Sequence, residues 1–377
     1  MLRTASIKLD VTPEQAGALV ALQTAYAEAC CRLVPIVQAH RCWKRVALHR
    51  LAYALLRTHT PLGAQMCCNA IFSVCKAYRS QKELGRISKD VPVPLLRFDR
   101  ASVHADKRTY SCRGDNVSLY TLSGRTTARL RPGDHQRRIL ASGSAKEAEL
   151  VCRKGRWYFN LVVETCDAEA VASGPVMGLD VGEVTLAAAS TGKVWGGEAL
   201  RHRRDQFLAL RRRLQSNGSQ SARQKLRQVS GKEERRVRHI NHETSKAIVR
   251  DAVRIGASRI TLEDLTHIRE RIKAGKRVRT RLHRWAFRQL QTFIEYKARA
   301  VGIVVEYVDP AYTSQTCSAC GALGERVRHR FECSCGLRAH ADLNASRNLA
   351  RIGGGILLPR ATVNPPDVGC VVRHASP

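Results

Sequence analysis

The sequence predicts a multidomain protein whose first half is α+β and whose second half is α/β. Three patterns predict this. Apolar residues follow a helical period from residue 13 to about residue 86, and from Val91 to Thr165 they alternate with a period of two. From Pro175 onward, short apolar strands are separated by long helical segments. The 377 residues and 44% hydrophobic content suffice for two or three domains with sizeable cores.

The chain carries a large excess of positive charge. Its 64 Lys and Arg against 32 Asp and Glu give a formal net charge of +32, with an isoelectric point near 10.3. This charge is self-repelling without a polyanionic partner, and nucleic acid is the commonest one. A membrane surface is the alternative, but the sequence shows no 18-residue apolar run and no signal peptide. We therefore expect a cytosolic protein with reduced cysteines and no membrane partner.

The first half is predicted to be an antiparallel β-barrel, or a sandwich, with a helical bundle inserted into it. Residues 3–10 alternate as a strand, and Thr12 with Pro13 has the pattern of a helix start. The predicted barrel comprises residues 1–12 and 91–168, and its segments include VPLLRF (93–98). The predicted bundle, of three or four helices, comprises residues 13–90.

Basic and aromatic residues of this half have two interpretations each. The basic side chains of the bundle either touch phosphate or form a solvated face: Arg41, Lys44, Arg45, Arg50 and Arg57. The aromatic side chains of the barrel either stack on bases or pack in the core, and the core is favoured: Tyr120, Trp157 and Tyr158.

A linker (166–174) precedes the second half, which opens with three predicted strands. VMGLDVG places Asp180 at the end of an apolar run, and EVTLAAAS and KVWGG follow at hairpin distance. Three strands with a carboxylate on the first are typical of the opening of an RNase H-like sheet. The domain is predicted to comprise residues 174–311 and 339–352, followed by a flexible tail (353–377).

A basic helical region spans about 198–256 and is broken near Ser216–Ser221 into two antiparallel helices. Residues 201–250 hold 15 Lys or Arg against four Asp or Glu. Such a run can be a solvated face. Its place in the carboxylate-bearing domain favours a channel for a phosphate backbone.

The strand SRITLEDL (258–265) ends in two acids, Glu263 and Asp264. Strand alternation places them on opposite faces, so only one of them is expected to face the site. The basic segment 266–284 stands where a lid or substrate-contacting loop is expected, and a helix (285–302) and a strand (IVVEYVDP) follow.

Four cysteines predict a zinc ribbon at 312–338. Cys317 and Cys320 form a CxxC pair, and Cys333 and Cys335 form a CxC pair after a 12-residue spacer. Two tight turns that each supply two thiolates suit tetrahedral Zn²⁺, here in a structural role. The alternatives are four free thiols, or a site in which one histidine replaces a thiolate: His329 or His340.

Three carboxylates predict a hydrolytic metal site: Asp180, Glu263 and Asp342. Strand ends and a helix start can converge on one crevice of an open α/β sheet. Three acids there repel unless divalent cations join them, and Mg²⁺ prefers oxygen ligands. Two Mg²⁺ ions would hydrolyse a phosphodiester. The alternative is that these acids are unconnected helix caps and surface charges.

The motifs GLDVG, ITLEDL and TCSACG…FECSCGLRAHADLNASRNLA resemble the TnpB (OrfB) family of insertion-sequence proteins, which are related to type V CRISPR effectors. The resemblance covers nearly the whole chain and implies a prokaryotic RNA-guided DNA endonuclease with a RuvC-like core. It implies that the three carboxylates are catalytic and that the four cysteines hold zinc in the target-nucleic-acid-binding insert. It also implies a wedge barrel with an inserted recognition bundle over 1–165, which holds a guide RNA and reads a short motif beside the target DNA. The CxC pair departs from the commoner CxxC.

The function expected from these features is Mg²⁺-dependent, RNA-guided cleavage of DNA by a protein of a transposable element, with a monomer favoured. The alternatives are a non-cleaving RNA-guided regulator of transcription and a small type V CRISPR effector. A DDE transposase is disfavoured, because its acids run Asp, Asp, Glu, whereas this chain runs Asp, Glu, Asp.

Overall fold

The computed structural model describes residues 1–88, 90–266, 287–309 and 313–355. The chain divides into two compact units, Met1–Cys166 and a second unit that starts at Asp167. Part of the predicted lid (266–284) and most of the predicted tail (353–377) lie outside the described residues.

The first unit begins with one strand, continues with helices and ends with a strand-rich segment. Its described elements are β1 (Leu2–Asp10), α1 (Pro13–His40), α2 (Arg45–His59), α3 (Ala64–Glu83), β2 (Val103–Ala105), β3 (Tyr110–Arg113), β4 (Asn116–Thr121), β5 (Gly124–Arg131), α4 (Asp134–Ala141), β6 (Gly143–Arg153) and β7 (Arg156–Thr165).

The strands of this unit form a nearly closed antiparallel sheet. Their order among the described residues is β2-β6-β7-β1-β5-β4-β3. Strand β1 lies between β7 and β5, with Ile7 opposite Phe159 and Lys8 opposite Arg131. The first strand therefore joins the sheet, as predicted, and the helices α1–α3 form an insertion between β1 and β2.

The sheet and the helices share one hydrophobic core. Ile7 and Phe159 from the sheet and Tyr26 and Tyr78 from the helices are all fully buried in it. Trp157 is also buried there, as the core interpretation predicted. The division of this unit into a barrel domain and a bundle domain remains a prediction.

Helix α1 begins with the predicted cap. The Gln15 backbone N–H donates to Thr12 Oγ1 at 3.2 Å, the Gln15 side-chain oxygen accepts from Thr12 N at 2.9 Å, and Pro13 occupies the first helical position. These contacts satisfy backbone donors that a helix start leaves unpaired.

Among the described residues, α1 is also the one helix long and apolar enough to cross a membrane by length and composition. However, 56% of its apolar window is buried inside the molecule. Leu22, Tyr26 and Leu33 of this helix are core residues, which explains its apolar composition.

The strand predicted at VPLLRF (93–98) is wrong, because residues 92–98 have no regular secondary structure. Pro94 cannot donate to a strand ladder. Side chains of the bundle bind the backbone instead: Gln38 Nε2 donates to Val93 O at 3.0 Å, and Tyr78 Oη donates to Pro94 O at 3.0 Å. The short helix α4 was not predicted, since its start at Pro132–Gly133 has the composition of a turn.

Three of the five basic residues singled out in the bundle have partners within the chain. Arg41 donates to Ser88 O at 2.5 Å, Arg57 donates to Leu62 O at 2.7 Å, and the Arg45 guanidinium lies 5.4 Å from the Phe72 ring centroid. These guanidinium groups therefore have a structural role, which neither sequence interpretation included.

The second unit holds a sheet, two long helices and a small three-stranded ribbon. Its described elements are β8 (Val176–Asp180), β9 (Thr185–Ala189), β10 (Val194–Gly196), α5 (Glu198–Asn217), α6 (Gln220–Arg254), β11 (Arg259–Glu263), α7 (Phe287–Arg299), β12 (Val304–Val308), β13 (Glu325–Val327), β14 (Arg330–Glu332), β15 (Arg338–His340) and α8 (Ala341–Gly353).

The described strands of the larger sheet lie in the order β10-β9-β8-β11-β12. Strands β8, β9 and β10 pair antiparallel, whereas β8, β11 and β12 run parallel. The paired residues Leu179 and Leu262 are both fully buried, as expected for central strands covered on both faces.

Helix α8 packs directly on this sheet because two glycines allow close contact. A Cβ at Gly178 in β8 would lie 1.9 Å from Ser346 O, and a Cβ at Gly353 would lie 1.9 Å from Thr261 Oγ1. Gly178, the first glycine of the GLDVG motif, is therefore required because a helix backbone lies directly against the first strand of the sheet.

Helices α5 and α6 are separated at Gly218, which has a φ of 65°. The break lies within the predicted interval. Leu200 is the only buried residue of α5, so most of its basic side chains are exposed. An ion pair between Arg211 and Glu233 at 3.8 Å joins the two helices.

Candidate active site and zinc cluster

Each of the three predicted carboxylates stands at the end of an element. Asp180 is the last residue of β8, Glu263 is the last residue of β11, and Asp342 lies in the first turn of α8. Strands β8 and β11 are adjacent and parallel, with Leu179 opposite Leu262. Asp180 and Glu263 therefore leave the sheet at the same edge.

The three acids form one electrostatic cluster. Burial raises the pKa of Asp180 well above its usual value, and the charges of Glu263 and Asp342 raise it further. Burial also raises the pKa of Glu263, against the opposing effects of a Thr313 hydrogen bond and the Arg326 charge. Desolvation and like charges both disfavour ionised carboxylates, so this site would gain from a bound cation.

Two side chains from outside the sheet hold the cluster. Thr313 Oγ1 donates to Glu263 Oε1 at 2.5 Å, and Arg326 Nη2 lies 3.1 Å from Asp342 Oδ1. The Glu263 backbone carbonyl accepts from Gln291 Nε2 of α7 at 2.9 Å. Arg326, on β13, thus forms an ion pair with Asp342.

Glu263, rather than Asp264, joins Asp180. The carboxylate of Asp264 accepts from Thr266 N at 2.9 Å and from the Thr266 hydroxyl. It is thus turned toward its own loop, which agrees with the expectation that one acid of the pair faces the site.

The carboxylates are less tightly grouped than the other potential ligands. Among the described residues, two groups have ligand atoms that all lie within 4.8 Å of one another: the four cysteines, and His329 with His340 and Asp342. The three acids together do not meet that limit. A pair of ions spans a wider site than one ion does, so this spacing is compatible with two ions.

The four predicted zinc ligands come together. Cys317 Sγ lies 3.6 Å from Cys335 Sγ, and Cys320 Sγ lies 3.6 Å from Cys333 Sγ. A Zn–S bond of about 2.3 Å in a tetrahedron places thiolates about 3.8 Å apart, so this cluster fits the ion. The backbone N–H of Cys335 lowers the pKa of Cys333 to about 7, whereas the neighbouring cysteine side chains raise the pKa of Cys335 to about 12, so the fit to the ion rests on the sulfur spacing.

The shorter CxC pair closes the site without help from a histidine. Gly321 and Gly336 follow the two pairs with φ values of 81° and 91°, and each donates its N–H back to the first cysteine of its pair. His329 and His340 belong to the separate group with Asp342. Four thiols therefore suffice, and the histidine-for-thiolate alternative is not needed.

Two buried asparagines of α8, neither of which was predicted as a functional residue, connect the carboxylate site to the cysteine loop. Asn344 Nδ2 donates to Thr316 O at 2.7 Å, and its oxygen accepts from Ser318 N at 2.8 Å. Asn348 Nδ2 donates to Thr313 O at 2.9 Å and to Thr316 O at 2.6 Å. Their i, i+4 spacing on a helix that carries an acid was an available signal.

Two protein-family models match the second half of the chain. The model described as "Probable transposase" (OrfB_IS605) matches residues 160–269, and the model described as "Cas12f1-like, TNB domain" matches residues 287–349. The first match includes Asp180 and Glu263, and the second includes Asp342 and all four cysteines.

Curated relatives carry names of the same kinds. The chain is 34% identical to "CRISPR-associated endodeoxyribonuclease Cas12f1" of Sulfoacidibacillus thermotolerans, over 52% of this chain and 50% of that protein. It is 41% identical to "TnpB-like protein MJ0751" of Methanocaldococcus jannaschii, over 33% of this chain and 45% of that protein. It is 26% identical to "Putative RNA-guided DNA endonuclease InsQ" of Escherichia coli K12, over 57% of this chain and 58% of that protein. The chain spans about half the length of the curated relatives it matches.

Solved structures share the fold. A Cas12f1–sgRNA–target DNA complex matches 90% of this chain and 83% of the other chain, with a TM-score of 0.64 and 14% identity. CasPhi-2 (Cas12j) bound to crRNA matches 96% of this chain and 99% of the other, with a TM-score of 0.54 and 10% identity. The resemblance found in the sequence is thus confirmed by two family models and by relatives whose names include TnpB-like and Cas12f1.

Proposed function

We propose that this protein is an RNA-guided DNA endonuclease of a transposable element that hydrolyses DNA phosphodiesters with divalent metal ions. The observation that carries the proposal is the cluster of Asp180, Glu263 and Asp342, whose partly buried carboxylates repel one another and are only partly offset by Arg326. The net charge of +32 suits a nucleic-acid substrate.

The sheet supports a RuvC-like, RNase H-like nuclease domain over 174–311 and 339–352. Counted from β8, the strand order is third, second, first, fourth, fifth, with the first three antiparallel. The acids leave the ends of the first and fourth strands and the start of the last described helix. The sequence pattern had placed the acids at two strand ends and a helix start, and the strand order adds a second observation in support of the proposal.

Asp180, Glu263 and Asp342 would supply the oxygen ligands, in keeping with the preference of Mg²⁺ for carboxylates. Two bound Mg²⁺ ions would activate a water molecule and stabilise the leaving oxygen of the phosphodiester. Thr313 fixes one oxygen of Glu263 at 2.5 Å. Arg326 balances the charge of Asp342 from the ribbon side.

The other predicted parts have supporting roles in this proposal. Zn²⁺ bound by the four cysteines would hold the ribbon (312–338) as an insert that contacts target nucleic acid. The barrel (1–12 and 91–168) and the bundle (13–90) would hold the guide RNA and read the motif beside the target. The protein would act as a monomer in the prokaryotic cytosol.

The basic faces of α5 and α6 would line the path of the phosphate backbone. Residues 201–250 within them carry 15 Lys or Arg against four Asp or Glu, and most of the side chains of α5 are exposed. Neutralising many phosphates releases counterions, so RNA and DNA binding should weaken steeply with salt.

The test begins with the RNA. The chain is expressed together with the DNA that flanks its gene, and the RNA that copurifies with it is sequenced. The purified complex is then given Mg²⁺ and plasmids that pair a matching target with randomised adjacent bases. We expect RNA-programmed cleavage by the wild type and by Asp134→Asn, a change at an exposed acid, and loss of cleavage in Asp180→Asn.

Three other outcomes would contradict parts of this proposal. Tight RNA-dependent target binding without cleavage by the wild type would favour the non-cleaving regulator. Full cleavage by Asp180→Asn would refute the assignment of the site, and cleavage that needs no RNA would refute guidance.

A further inference from the structure

We propose that His329, His340 and Asp342 form a second metal site, selective for a transition ion such as Zn²⁺ or Co²⁺ and distinct from the cysteine cluster. The potential ligand atoms of these three residues all lie within 4.8 Å of one another. Because Asp342 is also one of the three proposed catalytic acids, an ion here would compete with Mg²⁺ for that carboxylate.

The ribbon hairpin holds the two histidines side by side. The Ala341 N–H donates to His329 O at 2.8 Å, and strand pairing sets Arg330 opposite His340. The imidazole rings are stacked, with centroids 5.4 Å apart and an angle of 20° between their planes. The backbone therefore places both histidines next to each other, with their rings in contact.

Asp342 offers one oxygen to each neighbour. Its Oδ1 pairs with Arg326 at 3.1 Å, whereas its Oδ2 lies 3.9 Å from His340 Nδ1. A cation between the imidazoles would use Oδ2 and leave the Arg326 pair intact. The carboxylate itself is largely buried, with 11% of the side chain exposed.

The site is open to an incoming ion. Both histidines line a cavity of about 420 Å³ together with Val194, Gly196 and Glu198. The cavity has room for water molecules to complete the coordination sphere. Three protein ligands with one open position is the arrangement that zinc adopts when it is not fully enclosed.

The donor set decides the kind of ion. Two imidazoles and one carboxylate suit Zn²⁺, Co²⁺ and related ions, whereas Mg²⁺ prefers oxygen ligands alone. The cysteine cluster is a separate site with a different donor set, four thiolates. The chain thus presents three chemically distinct places for metal around Asp342 and the ribbon.

His340 also has a structural role, which determines the choice of variant. Its Nδ1 accepts a 3.3 Å hydrogen bond from Asp342 N and caps α8. Replacing His340 would therefore disturb the helix start as well as the proposed ligand. His329 is exposed and takes no part in that cap, so His329→Gln removes a ligand with little structural cost.

The test measures metal binding by the full chain. One equivalent of Zn²⁺ is loaded first and verified by elemental analysis, and Co²⁺ is then titrated by calorimetry and visible absorption. We expect one further ion with the absorption of nitrogen and oxygen ligands, without thiolate charge-transfer bands. In His329→Gln its affinity should fall at least about tenfold. The control His202→Gln, at an exposed histidine of α5, should bind as the wild type does.

The proposal is overturned if the zinc-loaded wild type takes up no further ion at this site, or if His329→Gln binds it with unchanged affinity. The effect on catalysis rests on the proposed nuclease function and is measured separately. In Mg²⁺-driven cleavage, added Zn²⁺ should inhibit the wild type more strongly than His329→Gln. A chain without nuclease activity would leave the binding result valid, so failure of the two proposals can be told apart.

Discussion

Two carboxylates of the second unit, the half-buried Asp180 and the fully buried Asp251, have opposite electrostatic surroundings. Burial acts in the direction of a higher pKa for both acids, but the net shifts differ. For Asp251, hydrogen bonds from Lys193, Arg254 and Thr191 outweigh burial and hold the pKa below its usual value. For Asp180, the nearby acids add to the effect of burial, and its pKa is raised well above the usual value.

The contacts explain the difference. Asp251 Oδ1 accepts from Lys193 Nζ at 2.6 Å and from Arg254 Nη2 at 2.9 Å, and its Oδ2 accepts from Thr191 Oγ1 at 2.9 Å. Its charge is satisfied within the protein. The charge of Asp180 faces two more acids, and Arg326 offsets them only in part. Burial alone therefore does not distinguish the two acids, and the unbalanced negative charge beside Asp180 is what supports the proposed metal site.

The largest expected effect is on the rate of DNA cleavage, and it should differ between the adjacent acids Glu263 and Asp264. Glu263→Gln should reduce DNA cleavage by about 10³-fold, since metal-held charge contributes several kcal/mol and each 1.36 kcal/mol is tenfold in rate. Asp264 contacts Thr266 in its own loop, so Asp264→Asn should cleave DNA at a rate within a few fold of that of the wild type. The measurement is single-turnover cleavage with saturating guide RNA. Equal loss in both variants would show that the strand end, rather than the Glu263 carboxylate, is what cleavage needs.

Stability should respond in opposite directions at the two sites. Asp251→Asn should lower the free energy of unfolding by about 1–3 kcal/mol, because it weakens charge-assisted hydrogen bonds to a buried group. Lys193 and Arg254 are more than half exposed, so the lower part of that range is expected. Asp180→Asn should instead raise the melting temperature of the metal-free protein at neutral pH, because it removes one repelling charge. Thermal melting in a chelator of divalent ions compares the two.

The pH dependence of stability provides a third test. An acid whose folded-state pKa is raised stabilises the protein while it is protonated, and this contribution is lost as pH rises through the raised pKa. The protonated forms of Asp180 and Glu263 therefore contribute stability to the metal-free protein at low pH. That contribution should be lost as the pH rises above the usual carboxyl range, that is, well above 3.8. Asp251 behaves oppositely, and its contribution is lost as pH falls through its lowered pKa.

The change is measured as melting temperature against pH, without divalent ions, for the wild type and Asp180→Asn. The wild type should lose stability more steeply with rising pH than the variant. Parallel curves would mean that Asp180 does not carry the raised pKa.

The smallest expected effect is stabilisation by Mg²⁺. An ion at ten times its dissociation constant adds about 1.4 kcal/mol to the stability of the state that binds it. Mg²⁺ should therefore raise the melting temperature of the wild type and of Asp251→Asn by similar amounts, and that of Asp180→Asn by less. A rise in Asp180→Asn equal to that of the wild type would place the ion elsewhere.

Local patterns in the sequence were enough to predict the elements that carry the acids. The apolar run that ends in Asp180 and the one that ends in Glu263 both form central strands. Such strands can be predicted because a strand covered on both faces has several consecutive apolar residues. The Thr12 cap and the paired cysteines were predictable for the same reason, since their spacing is short.

Contacts between distant parts of the chain were not predictable. Arg326 meets Asp342 across 16 residues, Asn348 meets Thr316 across 32, and Lys193 meets Asp251 across 58. No periodicity encodes such pairs. The segment 93–98 failed for a related reason, because its apolar pattern resembles a strand while side chains of distant helices bind its backbone.

The most direct test of the proposed metal site is to locate divalent ions in crystals. Crystals of the full chain soaked in Mn²⁺, an ion that takes the same carboxylate ligands, are measured at the manganese absorption edge. We expect anomalous density between the carboxylates of Asp180, Glu263 and Asp342, and no such density in crystals of Asp180→Asn. Density at the cysteines or histidines alone, with none between the three acids, would contradict it.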